Sequence, residues 1–342
     1  MKIAIDGMGG DHAPGEIVKG CLEALKQISH EIYIIGDEQK IQNELNKYTY
    51  NKEKVAIVHT TEIITSEDQP VKSIRSKNDS SMVVGMNMVK NGEVDVFISA
   101  GNTGALMAGA LFILGRIPGI DRPALASVYP NPAMKKACLL VDAGANAECK
   151  VNNLVEFAIM GSIYCEKVLN IENPRVGLVN IGTEDEKGTK TVKDAYKIMK
   201  KTDLNFIGNV EARELQNNIC DVIVCDGFVG NVILKLSEGV ALTFVQLLKN
   251  KISESFLAKA GALIMYKKLK ELKTDLDYSE YGGAPILGVK GAIVKIHGNS
   301  ESNAVKNAIL KAIPYVENNV VSIIHDEVVK YHELEQKEDS DE

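Results

Sequence analysis

The run Val96-Phe97-Ile98-Ser99-Ala100-Gly101-Asn102-Thr103-Gly104-Ala105 decides how the chain is read. Three apolar residues suited to a buried strand give way to a turn of small polar residues, and an apolar helical pattern follows at once. The same passage recurs at Ile3-Ala4-Ile5 into Asp6-Gly7-Met8-Gly9-Gly10-Asp11, at Leu139-Leu140-Val141 into Asp142-Ala143-Gly144-Ala145-Asn146, and at Val176-Gly177-Leu178-Val179 into Asn180-Ile181-Gly182-Thr183. Phe206-Ile207 into Gly208-Asn209, Val222-Ile223-Val224 into Asp226-Gly227, and Val294-Lys295-Ile296 into His297-Gly298-Asn299-Ser300 complete the set. Strand-like runs at 2–6, 31–36, 54–58, 94–98, 137–141, 174–181, 221–225 and 290–297 alternate with helical patterns. This predicts an α/β fold, a mostly parallel sheet covered by helices on both faces. The carboxyl ends of parallel strands share one edge, so the turns are expected to converge on a single crevice rich in backbone N–H groups, fitted to a small anion or nucleotide.

Size and charge narrow the partners. The 342 residues are 45% apolar and 25% charged, as in ordinary globular proteins, and allow one large α/β unit over 1–331. A net charge of −7 argues against nucleic acid as a partner. Much of that charge lies in 332–342, expected to be a disordered acidic tail. The six cysteines show no CxxC spacing and sit mostly in apolar runs, as reduced structural thiols do. Met1-Lys2 leads directly into a strand, so no secretory leader is expected; Ala105–Leu114, read as the most apolar stretch, is too short to span a bilayer.

Two segments stand apart. Thr60 to Asn78 is polar and carries Pro70, Lys72, Arg75 and Lys77, which suits either a mobile lid or a surface loop. Lys249 to Lys273 holds seven lysines and two acidic residues among apolar residues at helical spacing, a protruding basic amphipathic helix. Its partner is an anionic membrane surface, an acidic protein or a second copy; Phe256, Leu257, Lys259, Leu263, Ile264, Lys267 and Lys268 are the membrane-binding candidates.

The turns favour some chemistries over others. Dinucleotide binding needs G-x-G-x-x-G after the first strand, but His12 stands where the third glycine belongs. No P-loop occurs, because Lys187 precedes Gly188. Ser99, Asn102, Thr103 and Gly104 form a better phosphate cradle, at a helix N-terminus with free N–H donors; ordinary capping explains Asn102 or Thr103 equally well. Lys187 is placed to neutralise a dianion, and His297 is the histidine best placed for chemistry. Asp6, Gly7, Gly9 and Asp226 are further substrate-binding candidates on these turns. No metal cluster, G-x-S-x-G elbow or HExxH motif is evident, and Cys138 and Cys225 read as buried rather than nucleophilic. A nucleophile already ionised at neutral pH, such as inorganic phosphate, needs positioning more than a strong base.

With these turns in view, the chain resembles the phosphate acyltransferase family of bacterial phospholipid synthesis. The matching stretches include Asp6 to Pro14, Pro70 to Arg75 with Ser80-Ser81-Met82, Ser99 to Ala105, Arg122-Pro123-Ala124, Asp142 to Asn146, and Asn180 to Thr183 with Lys187-Gly188. Gly208 to Glu211, Asp226 to Val232, Tyr281 to Gly288 and His297 to Ser300 continue the series. The resemblance implies transfer of a long fatty acyl group from acyl carrier protein to inorganic phosphate without cofactor or metal. It also implies a homodimer with a fold like isocitrate and isopropylmalate dehydrogenases and phosphotransacetylases, and a cytoplasmic protein held peripherally at the inner face of the cell membrane. A membrane acyl-phosphate:glycerol-3-phosphate acyltransferase would be the next enzyme. Set beside it, phosphate would rest on Ser99, Asn102, Thr103 and Gly104 with Lys187 balancing charge, Asn180, Asn231 or backbone N–H groups would hold the oxyanion, and His297 would protonate the departing thiolate. The rivals are an oxidoreductase of the isopropylmalate dehydrogenase type and a non-catalytic scaffold at a membrane surface.

Overall fold

In the computed structural model, residues 1–131, 136–275 and 282–341 are described; Tyr281 and Glu342 lie outside them. The strands are β1 (Lys2–Asp6), β2 (Glu31–Gly36), β3 (Val55–His59), β4 (Val96–Ser99), β5 (Ala124–Asn131) and β6 (Lys136–Val141). They continue as β7 (Val176–Asn180), β8 (Phe206–Glu211), β9 (Val222–Val224), β10 (Ala284–Leu287) and β11 (Ala292–Lys295). Among the described residues they form one sheet in the order β3-β2-β1-β4-β11-β10-β5-β6-β9-β7-β8.

Period-two alternation splits the sheet between two layers. Ile3, Ile5, Val96 and Ile98 face a core shared with helices α1 (Gly15–Leu25), α6 (Val151–Lys167), α11 (Ser302–Glu317) and α12 (Val320–Asp341). Ala4 and Phe97, one residue out of phase, face a second core with α3 (Pro70–Ser76), α4 (Ser81–Lys90) and α5 (Thr103–Gly109), which runs on as a π-helical turn, Ala110–Leu114. Beyond β5, Leu140, Ile223 and Cys225 face a third cluster with Ile233 of α8 (Gly227–Ser253). The remaining helices are α2 (Glu38–Leu45), α7 (Lys190–Met199), α9 (Phe256–Ile264) and α10 (Tyr266–Asp275). The six cysteines are free, and burial pushes the thiols of Cys21, Cys138 and Cys149 up to about 12, 11 and 12.

Two expectations change, the shared edge of the turns and the longest apolar segment. The sheet is mostly parallel, but β5 pairs antiparallel with β6 and β10, and β10 antiparallel with β11. Three reversals turn β6, β7, β8 and β9 against β1 to β4 and β11, so the seven turns leave at two opposite edges, not one. At the acidic end α12 carries the backbone in helix to Asp341. Its first turns are anchored by fully buried Val320, Ile324 and Val328, and once a helix is nucleated each further residue adds a hydrogen bond at little cost. Among the described residues α8, not Ala105–Leu114, is the segment long and apolar enough, by length and composition alone, to cross a membrane. Its first turns are built into the fold through buried Gly227, Gly230 and Ile233.

The basic segment is three helical pieces: the end of α8, then α9 capped by Ser255, then α10. No residue of α9 is buried, and Phe256, Leu257, Leu263 and Ile264 are each more than three-quarters exposed.

Candidate active site

β1 stands at a topological switch point: the chain builds outward through β2 and β3, then returns to place β4 on β1's other side. Crevices outside the carboxyl ends of such strands are the usual ligand sites of α/β sheets. Three turns meet there, after β1, β4 and β11. Asp11 N donates to Gly298 O at 2.8 Å, and Ile296 N to Ser99 O at 2.9 Å. A Cβ on Gly9 would lie 2.5 Å from Asp6 Oδ2 and 2.7 Å from Gly101 N, so only glycine lets the first two turns approach this closely.

Asp6, 2% exposed, is the hub. Its Oδ1 accepts from Met8 N (3.1 Å) and Ser81 Oγ (2.6 Å), and its Oδ2 from Ser99 Oγ (2.7 Å). Ser99 Oγ in turn accepts from Gly101 N at 3.0 Å. Asn102 caps α5 through Ala105 N (3.0 Å), while its Nδ2 donates to the carbonyls of Thr65, Ser66 and Asp68 at 3.1–3.3 Å. Through these bonds the polar atoms of Asp6, Ser99 and Asn102 hold the turns in shape. Gly7 backs onto Ile34 and Ile35. Thr103 and Gly104, exposed at the start of α5, remain open to a ligand, and His297 is exposed on the neighbouring turn, its Nδ1 accepting weakly from Asn299 N.

The 60–78 segment lies against this turn and is tied down rather than loose. Lys77 Nζ donates to Asp68 Oδ2 (2.6 Å) and Ile63 O (2.8 Å), and a Cβ on Gly104 would meet Pro70 at 2.7 Å.

Sequence reasoning passed over one residue of this crevice, Lys295. It is 8% exposed, and its Nζ donates to Ala100 O at 3.0 Å and Ile296 O at 2.5 Å. Burial lowers its ammonium to about 8, against the opposing pull of Asp6 and Asp11. The signal was present: a lone charge inside the apolar run 292–296.

The second cluster lies at the other edge, after β6, β7 and β9. Asp142, fully buried, accepts through Oδ1 from Leu125, Gly144 and Ala145 N–H (2.9–3.1 Å) and through Oδ2 from both nitrogens of Asn146 (2.7 and 2.9 Å). Burial raises its carboxyl while these donors oppose the shift. The start of α8 seats on this turn: Gly227 N donates to Asn146 O at 2.7 Å, and a Cβ on Gly230 would fall 1.9 Å from Asp142 O. Asp226 caps α8 through Val229 N at 2.8 Å, and so also serves as a brace. Asn180 is bound into its own turn, accepting from Ile181 N (2.8 Å) and donating to Lys187 O (3.0 Å), which fixes the backbone that carries Lys187. Lys187 is half-exposed, 3.9 Å from Glu184, and Asn231 is exposed beside the Asp142 turn. Five strand steps separate β4 from β9, about 24 Å at ~4.8 Å per step. Within one chain, Ser99–Gly104 and Asn231 therefore do not share a crevice. Among the described residues no cluster of three or more His, Cys, Asp and Glu side chains is arranged to hold a metal.

The architecture is that of phosphotransacetylases. A phosphotransacetylase from Streptococcus pyogenes superposes over 93% of this chain and 94% of its own with a TM-score of 0.64 at 15% identity. A 4-hydroxythreonine-4-phosphate dehydrogenase from Klebsiella pneumoniae superposes at 0.51 and 13% identity, over 91% and 98%. At such identities the likeness is one of fold. Residues 1–323 match the fatty acid synthesis protein family, and the chain belongs to it. A phosphate acyltransferase of Alkaliphilus oremlandii is 57% identical over 96% of this chain and 97% of its own length. One of Clostridioides difficile is 53% identical over the whole of both. Full-length relatives of this kind bear out the family read from the motifs and make the chain an acyltransferase, in place of the oxidoreductase or the non-catalytic scaffold.

Proposed function

We propose that the protein transfers a long-chain fatty acyl group from acyl carrier protein to inorganic phosphate, giving acyl phosphate and the free carrier thiol for phospholipid synthesis. The observation that carries this is full-length identity above half to phosphate acyltransferases, joined to the three turns that meet at the switch point. Phosphate rests on Thr103 and Gly104 at the start of α5, and one of its oxygens attacks the thioester carbonyl. The carbon–sulfur bond breaks, and the thiolate leaves with a proton from His297. Lys187 and Asn231 steady the charge on the carbonyl oxygen, as preorganised donors do in acyl transfer.

These two belong to the second cluster, so the reaction calls for a homodimer in which that cluster of one copy meets the crevice of the other. α8 supports such an assembly. It starts beside Asn231 and carries an exposed apolar stripe at Phe228, Val232, Leu236 and Val240, spaced four apart. The same proposal keeps kinship with isocitrate and isopropylmalate dehydrogenases. It puts the protein in the cytoplasm, peripherally on the inner face of the cell membrane through α9 and α10, where a membrane acyl-phosphate:glycerol-3-phosphate acyltransferase takes the product.

The test mixes acylated carrier protein with the enzyme and follows thiol release and hydroxylamine-trapped acyl phosphate. Both should depend on phosphate, and Lys187→Ala or Asn231→Ala should lower turnover by more than about tenfold. Thiol release that ignores phosphate would refute the reaction.

A further inference from the structure

The Ala100–Gly101 peptide is gripped from both ends. Its N–H donates to Ser99 Oγ at 3.0 Å, and its carbonyl accepts from Lys295 Nζ at 3.0 Å. Lys295 also holds Ile296 O at 2.5 Å, so one ammonium fastens the end of β11 to the turn entering α5. The charged groups acting on it are Asp6 and Asp11, both from the turn after β1; β4 and β11 meet it with main-chain carbonyls. Asp6, buried, would repel a dianion at the same turns unless Lys295 offset its charge.

We infer that Lys295 is a positioning residue for the acceptor: it fixes the Ser99–Gly104 turn and balances Asp6, and thereby sets the affinity for phosphate. This rests on the assignment of that turn as the phosphate site. Lys295 reaches the ligand through the peptide it holds and through its field, not by contact. Removing it leaves Ala100 O without its donor and the Asp6 carboxylate uncompensated, so the N–H groups at the start of α5 lose their fixed aim.

Titration calorimetry with inorganic phosphate tests this on the full chain at pH 7, 8 and 9. Wild-type affinity should fall about tenfold from pH 7 to 9, as an ammonium titrating near 8 loses its proton. Lys295→Met should bind about tenfold more weakly at pH 7 and lack that fall; the ionisation of phosphate is common to both proteins and cancels in their ratio. Lys295→Gln keeps donors for both carbonyls without the charge, and should lie between them in affinity with the same flat profile. If the Met variant does not fold, the wild-type profile and the Gln variant still decide. Equal affinity in wild type and either variant, or an unchanged pH profile in the variants, would overturn the inference. A normal phosphate KM for Lys295→Gln in the thiol-release assay would sink it while leaving the acyl transfer intact. A wild type that binds no phosphate would take the phosphate site down with it.

Discussion

Glu156 on α6 is 1% exposed, with Asp121 N donating to its Oε2 at 3.0 Å and His332 Nε2 of α12 lying 3.6 Å from its Oε1. Burial raises its carboxyl to about 7 from 4.5, though Asp121 N–H and His332 pull the other way. The folded protein thus keeps a proton up to about 7 that the unfolded chain releases near 4.5, so the native state binds more protons in that window and stability falls as pH rises through it. Glu156→Gln should match wild type in urea midpoint at pH 5 and exceed it at pH 8, by at most roughly 3 kcal/mol; equal midpoints at pH 8 would contradict the assignment. At this scale the sequence was only partly legible. Ser99, Asn102, Asn180 and Asp226 have the side chains that bind oxyanions, and those same side chains cap helices and brace turns. Which job each does depends on a partner far along the chain, such as Asp6 for Ser99, 93 residues away.

Secondary elements were easier to read, because periodicity is local. The eight strand runs map onto β1, β2, β3, β4, β6, β7, β9 and β11, and the helix expected after Pro14 is α1. β8 was signalled only by Phe206-Ile207, and β5 and β10 were missed: β10 is four residues long and contains Pro285, weak material for a strand signal. The basic segment is helical as expected but broken at Ser255 and Met265. Residues 256–264 of α9 expose Phe256, Leu257, Leu263 and Ile264, while Lys259, Lys267 and Lys268 are exposed nearby. Insertion of such a face beside lysines suits an anionic bilayer. Reversing Lys259, Lys267 and Lys268 to Glu should abolish sedimentation with phosphatidylglycerol vesicles and leave carrier turnover in solution within about twofold. Vesicle binding unchanged by the reversal would assign α9 and α10 to a protein contact instead.

For the whole molecule, the direction of a strand decides where its turn points, and direction is what an apolar run does not encode. The three reversals, β10–β11, β10–β5 and β5–β6, divide one expected crevice into two clusters. If two copies unite them, mixing Lys187→Ala with His297→Ala under subunit exchange should restore roughly a quarter of wild-type turnover, the share set by random pairing. Recovery of nothing, with mixed dimers demonstrated, would confine the reaction to one chain. The six free cysteines carry a practical corollary. With Cys21, Cys138 and Cys149 pushed to about 11 or above, and Cys165, Cys220 and Cys225 raised by burial as well, a maleimide at neutral pH finds scarcely any thiolate to attack. The chain has no tryptophan either. A single reporter grafted onto α9 would therefore speak alone, whether fluorophore or indole, and its signal could be followed without first stripping the native background.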